Sequence, residues 1–174
     1  MSDLRYPVGE FIARPTITQV ERQELIAILD TVPARLRAAL TGLSSEQLET
    51  PYRPDGWTVR QTVHHVADSH MNAYTRFKLG LTEDVPTIKP YDENRWAMLE
   101  DGRNADPEIS LRLLDALHQR WTILLRSLPP DAFAHSFHHP ESGVTSLDVA
   151  LQSYEWHGRH HIAHITALRQ RKGW

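Results

Sequence analysis

Four of the eleven histidines in this chain lie within nine consecutive residues near its C-terminus. The segment Trp156–His164 contains two pairs spaced by four residues, His157/His161 and His160/His164. On an α-helix, residues four apart lie on the same face, one turn from each other. Two imidazoles in that position can bind one metal ion. The fold must therefore give these rings metal or hydrogen-bond partners wherever the helix is buried.

The apolar periodicity of the surrounding segment indicates which pair points inward. At about 100° per residue, the apolar residues of the last helix form one stripe: Leu147, Ala150, Leu151, Tyr154, Ile165 and Leu168. His161 falls within that stripe and His157 on its shoulder, whereas His160 and His164 fall toward the flank. Burying an unpaired polar ring costs about 1–3 kcal/mol, so the inward pair needs partners. A metal ion would satisfy both rings, although a hydrogen-bonded core histidine is the ordinary alternative.

A second pair, His64-His65, lies far upstream and could supply a third ligand. Both residues lie off the apolar stripe of their predicted helix, and adjacent residues point about 100° apart. Periodicity therefore does not decide between them. Asp68 follows one turn later and could orient a ligand through its second ring nitrogen, as carboxylates often do around zinc.

Length and composition limit the number of domains, the kind of metal site and the functions that this chain can have. The chain has 174 residues and is expected to form a single domain over residues 1–174. It has no cysteine, so a transition-metal site must use nitrogen and oxygen ligands. The net charge is −3 and no block is rich in lysine or arginine, which argues against nucleic-acid binding. No segment approaches the roughly 20 apolar residues of a membrane span, and the N-terminus lacks a signal peptide, so we expect a soluble cytoplasmic protein.

Helix signals divide the chain into four long helices. They begin near Thr18, at Thr58 with a capping-box partner at Gln61, at Asp106-Pro107, and at Thr145 or Ser146. Pro33 is expected to kink or divide the first helix. Residues 1–16 are expected to form an extended arm, and residues 82–105 contain no long helix. Phe133–His139 is a candidate strand. The pattern predicts an all-α four-helix bundle with a long crossover loop.

The histidine segments also resemble a known family. Gly56-Trp57-Thr58-Val59-Arg60-Gln61-Thr62-Val63-His64-His65-Val66-Ala67-Asp68-Ser69-His70 and Trp156-His157-Gly158-Arg159-His160-His161-Ile162-Ala163-His164-Ile165 are similar to the YfiT-type branch of the DinB superfamily. The resemblance extends from Tyr6-Pro7-Val8-Gly9-Glu10 to Gly173-Trp174 and so covers nearly the whole chain.

The resemblance implies a four-helix bundle that binds one divalent metal ion per chain, zinc or nickel, through three histidines. The positions that match the family's ligands are His65, His157 and His161. The family includes proteins described as metal-dependent hydrolases and transferases that use low-molecular-weight thiols such as bacillithiol or mycothiol. The resemblance also implies a homodimer.

Three function classes follow from such a site. Three histidine ligands leave a coordination position open, which is typical of catalytic zinc. The open position could activate a thiol for transfer to an electrophile or a water molecule for hydrolysis. A non-catalytic metal-binding stress-response protein is the third class. Gly158 stands where HExxH enzymes have their glutamate base, which favours the thiol. The catalytic residues stay unassigned, and Pro90–Trp96 is the expected substrate-facing loop.

Overall fold

A computed structural model describes residues 3–174; the first two residues of the expected arm lie outside the described range. Seven α-helices, one 3₁₀-helix and two strands make up this part of the chain. In chain order they are α1 (Gln19–Leu40), α2 (Ser45–Leu48), α3 (Val59–Thr82), α4 (Glu93–Ala97), α5 (Glu100–Asn104), α6 (Pro107–Ser127), the 3₁₀-helix Pro130–Ala134, β1 (Ser136–His139), β2 (Gly143–Ser146) and α7 (Leu147–Lys172).

The four long helices, α1, α3, α6 and α7, form the predicted four-helix bundle. Both α1 and α3 pack against α6 and α7, so α1 and α3 occupy opposite corners. Their apolar stripes meet in a core of fully buried side chains that includes Leu29, Leu36, Phe77, Trp121 and Leu151. No helix within residues 3–174 has the length and apolar character needed to cross a membrane.

The predicted helix starts are confirmed where capping chemistry defines them. Thr58 caps α3 and forms a capping box with Gln61. Asp106 caps α6, with Pro107 in its first turn. Ser146, one of the two residues expected to start the last helix, caps α7, and Gly173 ends that helix with a φ of 72°. These local signals fix the registers that bring the histidines together.

The sequence predicts that Pro33 kinks or divides α1, and the predicted division is wrong. The helix runs without interruption from Gln19 to Leu40 with Pro33 inside it. A proline in a helix interior has no N–H to donate to the carbonyl four residues earlier, which here belongs to Leu29. The Leu29 carbonyl instead accepts a hydrogen bond from His118 Nδ1 at 2.8 Å. A side chain of α6 therefore replaces the missing backbone donor.

The segments between the long helices are short helices and one hairpin. The long crossover from α3 to α6 carries only α4 and α5. The candidate strand Phe133–His139 is partly realised: its first residues belong to the 3₁₀-helix, and β1 pairs antiparallel with β2. Ile88 N donates to the His138 carbonyl at 3.0 Å, so the start of the crossover is tied to this hairpin.

The N-terminal arm packs along α7 of its own chain. Gln152 exchanges two hydrogen bonds with the backbone of Arg14, and Trp156 Nε1 donates to the Gly9 carbonyl at 3.1 Å. Further along, His164 Nε2 contacts the Arg5 carbonyl at 3.1 Å. The arm thus runs antiparallel to α7 and covers the flank on which His160 and His164 lie.

Candidate metal centre

Three histidines from two helices of the bundle converge. His65 comes from α3, whereas His157 and His161 come from successive turns of α7. Each of the three offers a ring nitrogen, and these nitrogens all lie within 4.8 Å of one another. His65 Nε2 and His157 Nε2 are 3.2 Å apart. The structure thus brings together the three residues that the family resemblance singles out.

The chemistry of this donor set fits a divalent transition metal. Two nitrogens bound to one tetrahedral zinc ion at about 2.0–2.1 Å lie about 3.3 Å from each other, close to the separation of the Nε2 atoms of His65 and His157. His161 Nδ1 is buried and has no hydrogen-bond partner within the described chain. A buried imidazole nitrogen without such a partner, close to two ring nitrogens 3.2 Å apart, is consistent with a set of rings that a metal ion would hold together.

Burial keeps the three imidazoles neutral. It lowers the pKa of His65 to about 4 and the pKa values of His157 and His161 well below the usual value of 6.5. The neighbouring histidines lower all three further, because positive charges would repel each other. A neutral imidazole has the free lone pair that a metal ion requires. The site is therefore in its binding form at neutral pH.

The structure separates the two upstream histidines. His64 points toward the start of α6, where its Nδ1 lies 2.7 Å from Ser110 Oγ and its Nε2 lies 3.1 Å from the Ala105 carbonyl. His64 is thus a hydrogen-bonded core residue outside the three-histidine group. Within residues 3–174, no hydrogen bond joins Asp68 to His64 or His65. Burial raises the pKa of Asp68 to about 6, but the structure gives this carboxyl no bond to a histidine of the group.

The second HxxxH pair of α7 has a different environment. His164 stacks on Tyr52 with a ring-centroid distance of 3.9 Å, and His160 stacks on Trp156 at 4.4 Å. Both rings are buried, although the helical wheel placed them on the flank. The N-terminal arm supplies part of that burial, through Arg5 and Tyr6. His164 also bonds to the arm through the Arg5 carbonyl, so this pair helps to seat the arm.

The three-histidine group opens into a cleft of about 390 Å³. Its walls come from the N-terminal arm, the loop before α3, the start of α4 and the exposed turns of α7, including Arg5, Tyr6, Arg53, Trp57, Glu93 and Trp156. Glu93 belongs to the loop expected to face substrate. The combined effect of burial, Asp92 and Glu141 raises the Glu93 pKa. The cleft therefore has cationic groups, Arg5 and Arg53, and carboxyl groups, Asp55 and Glu93, beside the histidines.

Two further histidines lie behind the site and were missed as functional candidates. His70 Nε2 is 3.2 Å from His157 Nδ1, and His70 Nδ1 is 2.8 Å from His118 Nε2. Both rings are fully buried. The sequence did contain a signal for both, because His70 lies on the apolar stripe of α3 and His118 on that of α6. A buried ring on an apolar face requires hydrogen-bond partners.

The sequence profile of the DinB superfamily matches residues 28–165, which include all three histidines of the group. The chain belongs to the DinB superfamily. Within this superfamily, the chain is 51% identical over 173 residues to YfiT of Bacillus subtilis (strain 168), which is provisionally named a metal-dependent hydrolase. That match covers 99% of this chain and 97% of the relative.

Three further comparisons agree with this family and fold. A protein of Bacillus mycoides (strain KBAB4), also provisionally named a metal-dependent hydrolase, is 53% identical over the full length of both chains. The solved structure of Bacillus subtilis YfiT, described as a four-helix bundle of unusual topology, superposes with a TM-score of 0.97 and covers 98% of each chain. A solved four-helix bundle protein, TT2238, is 21% identical, covers 84% of this chain and 98% of its own, and has a TM-score of 0.58, which shows the shared fold.

The glycine between the two α7 histidines of the group is expected to be required for packing. A Cβ atom at Gly158 would lie 2.7 Å from Cγ2 and 3.1 Å from Cγ1 of Val32 on α1. Gly158→Ala is therefore expected to destabilise the protein by about 1–2 kcal/mol, because overpacking costs about 1–3 kcal/mol and the helix propensity of alanine returns up to about 1 kcal/mol. Urea unfolding measures this change.

The double variant Val32→Ala/Gly158→Ala is the control for this steric explanation. Removing the Val32 methyl groups makes room for the new Cβ, so the two substitutions should couple favourably in a double-mutant cycle. Strictly additive losses, or a Gly158→Ala variant as stable as the parent, would contradict the close approach of α1 and α7.

Proposed function

We propose that residues 1–174 act as one metal-binding domain that holds a single zinc or nickel ion through His65, His157 and His161 and catalyses a metal-dependent reaction of a small molecule. The observation that carries this proposal is the meeting of three neutral imidazoles at the base of an open cleft. When bound there, a divalent ion supplies Lewis acidity, which lowers the pKa of a water molecule or thiol that takes the open coordination position.

Our first candidate reaction is the transfer of a low-molecular-weight thiol, such as bacillithiol or mycothiol, to an electrophile. The chain has no cysteine, so the thiol must come from a cosubstrate. Arg5 and Arg53 line the cleft together with Asp55 and Glu93, so charged groups of both signs are available to bind the polar groups of a cosubstrate. His65, His157 and His161 would orient the sulfur, and Trp57, whose ring lies 4.3 Å from that of His65, would shield one side of the site from water.

The second candidate is hydrolysis, and a specific residue favours it. Water attack usually needs a protein base, and the segment between the α7 histidines has none because Gly158 stands there. Glu93 lines the same cleft and has a raised pKa, so it could accept a proton from water at neutral pH. The provisional names of the Bacillus relatives also favour hydrolysis.

One experiment separates the candidates. The purified protein is assayed for thiol loss with several thiols and a reactive electrophile, and for ester and amide hydrolysis without thiol. Each assay is run with zinc or nickel and again with a chelator. The Glu93→Gln variant is included because a base for water should matter only to hydrolysis, where its loss is expected to cost about 10²–10⁴-fold in rate.

Thiol transfer is expected to be abolished by chelator and to survive Glu93→Gln. Hydrolysis that needs both metal and Glu93, with no metal-dependent thiol loss, would replace the first candidate with the second. No turnover in either assay from a fully metal-loaded protein would instead support a non-catalytic metal-binding stress-response protein.

We also propose that the protein is a homodimer. Three apolar side chains, Ile109, Leu113 and Ile123, are exposed on the outer side of α6 and could pack against a second copy. Light scattering at micromolar concentration is expected to give twice the chain mass of 20.0 kDa. Ile123→Glu should then favour the monomer, whereas Val144→Glu, at an equally exposed position on the hairpin, should not. A wild-type mass equal to one chain would contradict the dimer.

A further inference from the structure

A continuous row of hydrogen bonds crosses the bundle behind the three-histidine group. It begins at the Leu29 carbonyl on α1 and passes through His118 on α6 and His70 on α3 to His157 on α7, with successive distances of 2.8, 2.8 and 3.2 Å. Each of the four long helices contributes one member. We call these four groups the histidine relay.

The Leu29 carbonyl determines which ring nitrogens of the relay donate and which accept. A carbonyl oxygen can only accept, so His118 Nδ1 must carry the proton and donate it to Leu29. This carbonyl is free because Pro33, four residues later in α1, has no N–H. The proline inside the helix thus provides a fixed acceptor at the start of the relay.

The proton position on His118 then sets the donor and acceptor nitrogens of His70 and His157. A neutral imidazole has one donor and one acceptor nitrogen. Because His118 donates from Nδ1, its Nε2 accepts from His70 Nδ1; His70 Nε2 in turn accepts from His157 Nδ1. His157 Nε2 is left without a proton, and this atom faces His65 Nε2 in the group. The opposite proton positions would set the His118 Nδ1 lone pair against the Leu29 carbonyl at 2.8 Å.

We infer that His70 and His118 are positioning residues that hold His157 in the Nδ1–H tautomer, with its Nε2 lone pair directed at the metal position. The partner of the second ring nitrogen sets the tautomer of a metal-binding histidine and holds its ring in place. In this chain, the partners behind His157 Nδ1 are two histidines in a row and a backbone carbonyl.

The surroundings support neutral rings in a rigid arrangement. His70 and His118 are fully buried, and burial of this kind disfavours the charged form of an imidazole. The ring of His70 lies between His118, His157, Trp121 and Tyr154, all with centroids within 6 Å. The Leu29 carbonyl does not take up a proton at neutral pH. The relay therefore orients a ligand and does not conduct protons away from the site.

This inference rests on the proposed metal site, but its first test does not require metal. Long-range ¹H–¹⁵N NMR of the full, ¹⁵N-labelled, metal-free chain distinguishes protonated from unprotonated ring nitrogens. We expect His118, His70 and His157 each to carry the proton on Nδ1. A proton on Nε2 of His70 or His118 would overturn the relay, even if the protein binds metal as proposed.

The second test measures zinc affinity by chelator competition in matched variants. His118→Leu removes the acceptor for His70, whereas His118→Gln can place an amide oxygen near the position of Nε2 and keep it. His64→Leu is the control, because His64 is an equally buried, hydrogen-bonded α3 histidine outside the relay. We expect about a 10-fold loss of affinity in His118→Leu, within the range for partners of metal ligands, and near wild-type affinity in the other two.

Tautomer signals distinguish positioning from general destabilisation. In His118→Leu, the ¹⁵N signals of His157 should show a mixture of tautomers, and His118→Gln should restore the wild-type signals. Unchanged His157 signals and unchanged affinity in His118→Leu would overturn the inference, as would an equal loss of affinity in His64→Leu. If the leucine variant does not fold, the wild-type signals and the glutamine variant decide.

Discussion

Replacing His157 with alanine is expected to lower zinc or nickel affinity by more than about 100-fold. Loss of a residue that only orients a metal ligand already costs about 10–100-fold, and this substitution removes one of the three nitrogens themselves. The same loss is expected for His161→Ala and His65→Ala, because the three rings form one group. Metal content of the purified variants and chelator competition measure the effect.

The second HxxxH pair of α7 provides the matched control. His160 and His164 have the same spacing on the same helix and are also buried, but they contact Trp156, Tyr52 and the N-terminal arm. His160→Ala should keep wild-type metal affinity. Full metal retention in His157→Ala or His161→Ala would refute the assignment, and loss in His64→Ala but not in His65→Ala would show that the wrong upstream histidine was chosen.

Local signals in the sequence were enough to predict the bundle and to single out His157 and His161 as the α7 pair that lies close to His65. Caps at Thr58 and Asp106 and the apolar stripes are properties of neighbouring residues, so they can be read without the fold. The choice of His65 over His64 needed the family resemblance. Both rings are buried in the structure, and only the packing of α5 and α6 against α3 shows where each one points.

The features that the sequence did not predict depend on contacts between distant segments. Part of the burial of His160 and His164 comes from an arm about 150 residues earlier in the chain. The continuity of α1 through Pro33 depends on a side chain of α6. A helical wheel describes one helix and its solvent, so it cannot show a partner that arrives from another element.

Acid should unfold the metal-free protein near pH 5.5. Among the described residues, burial lowers the pKa of seven histidines that are less than 10% exposed: His64, His65, His70, His118, His160, His161 and His164. Below the unfolded-state pKa of about 6.5, the unfolded chain binds more protons than the folded one. Stability is therefore fully present above pH 6.5 and falls as the pH drops from 6.5 toward the folded-state values.

The size of the effect follows from proton linkage. Between pH 7.5 and 5.5, a buried histidine whose folded-state pKa is about 4 lowers the free energy of unfolding by about 1.4 kcal/mol. His65, His118, His160 and His164 have such pKa values, so these four together cost about 6 kcal/mol. The total stability of a domain is typically about 5–15 kcal/mol. Urea titrations across this pH range measure the loss. Added zinc should shift the acid midpoint to lower pH, because it binds only the neutral rings. Equal stability at pH 7.5 and 5.5 without metal would mean that these histidines are not held neutral by burial.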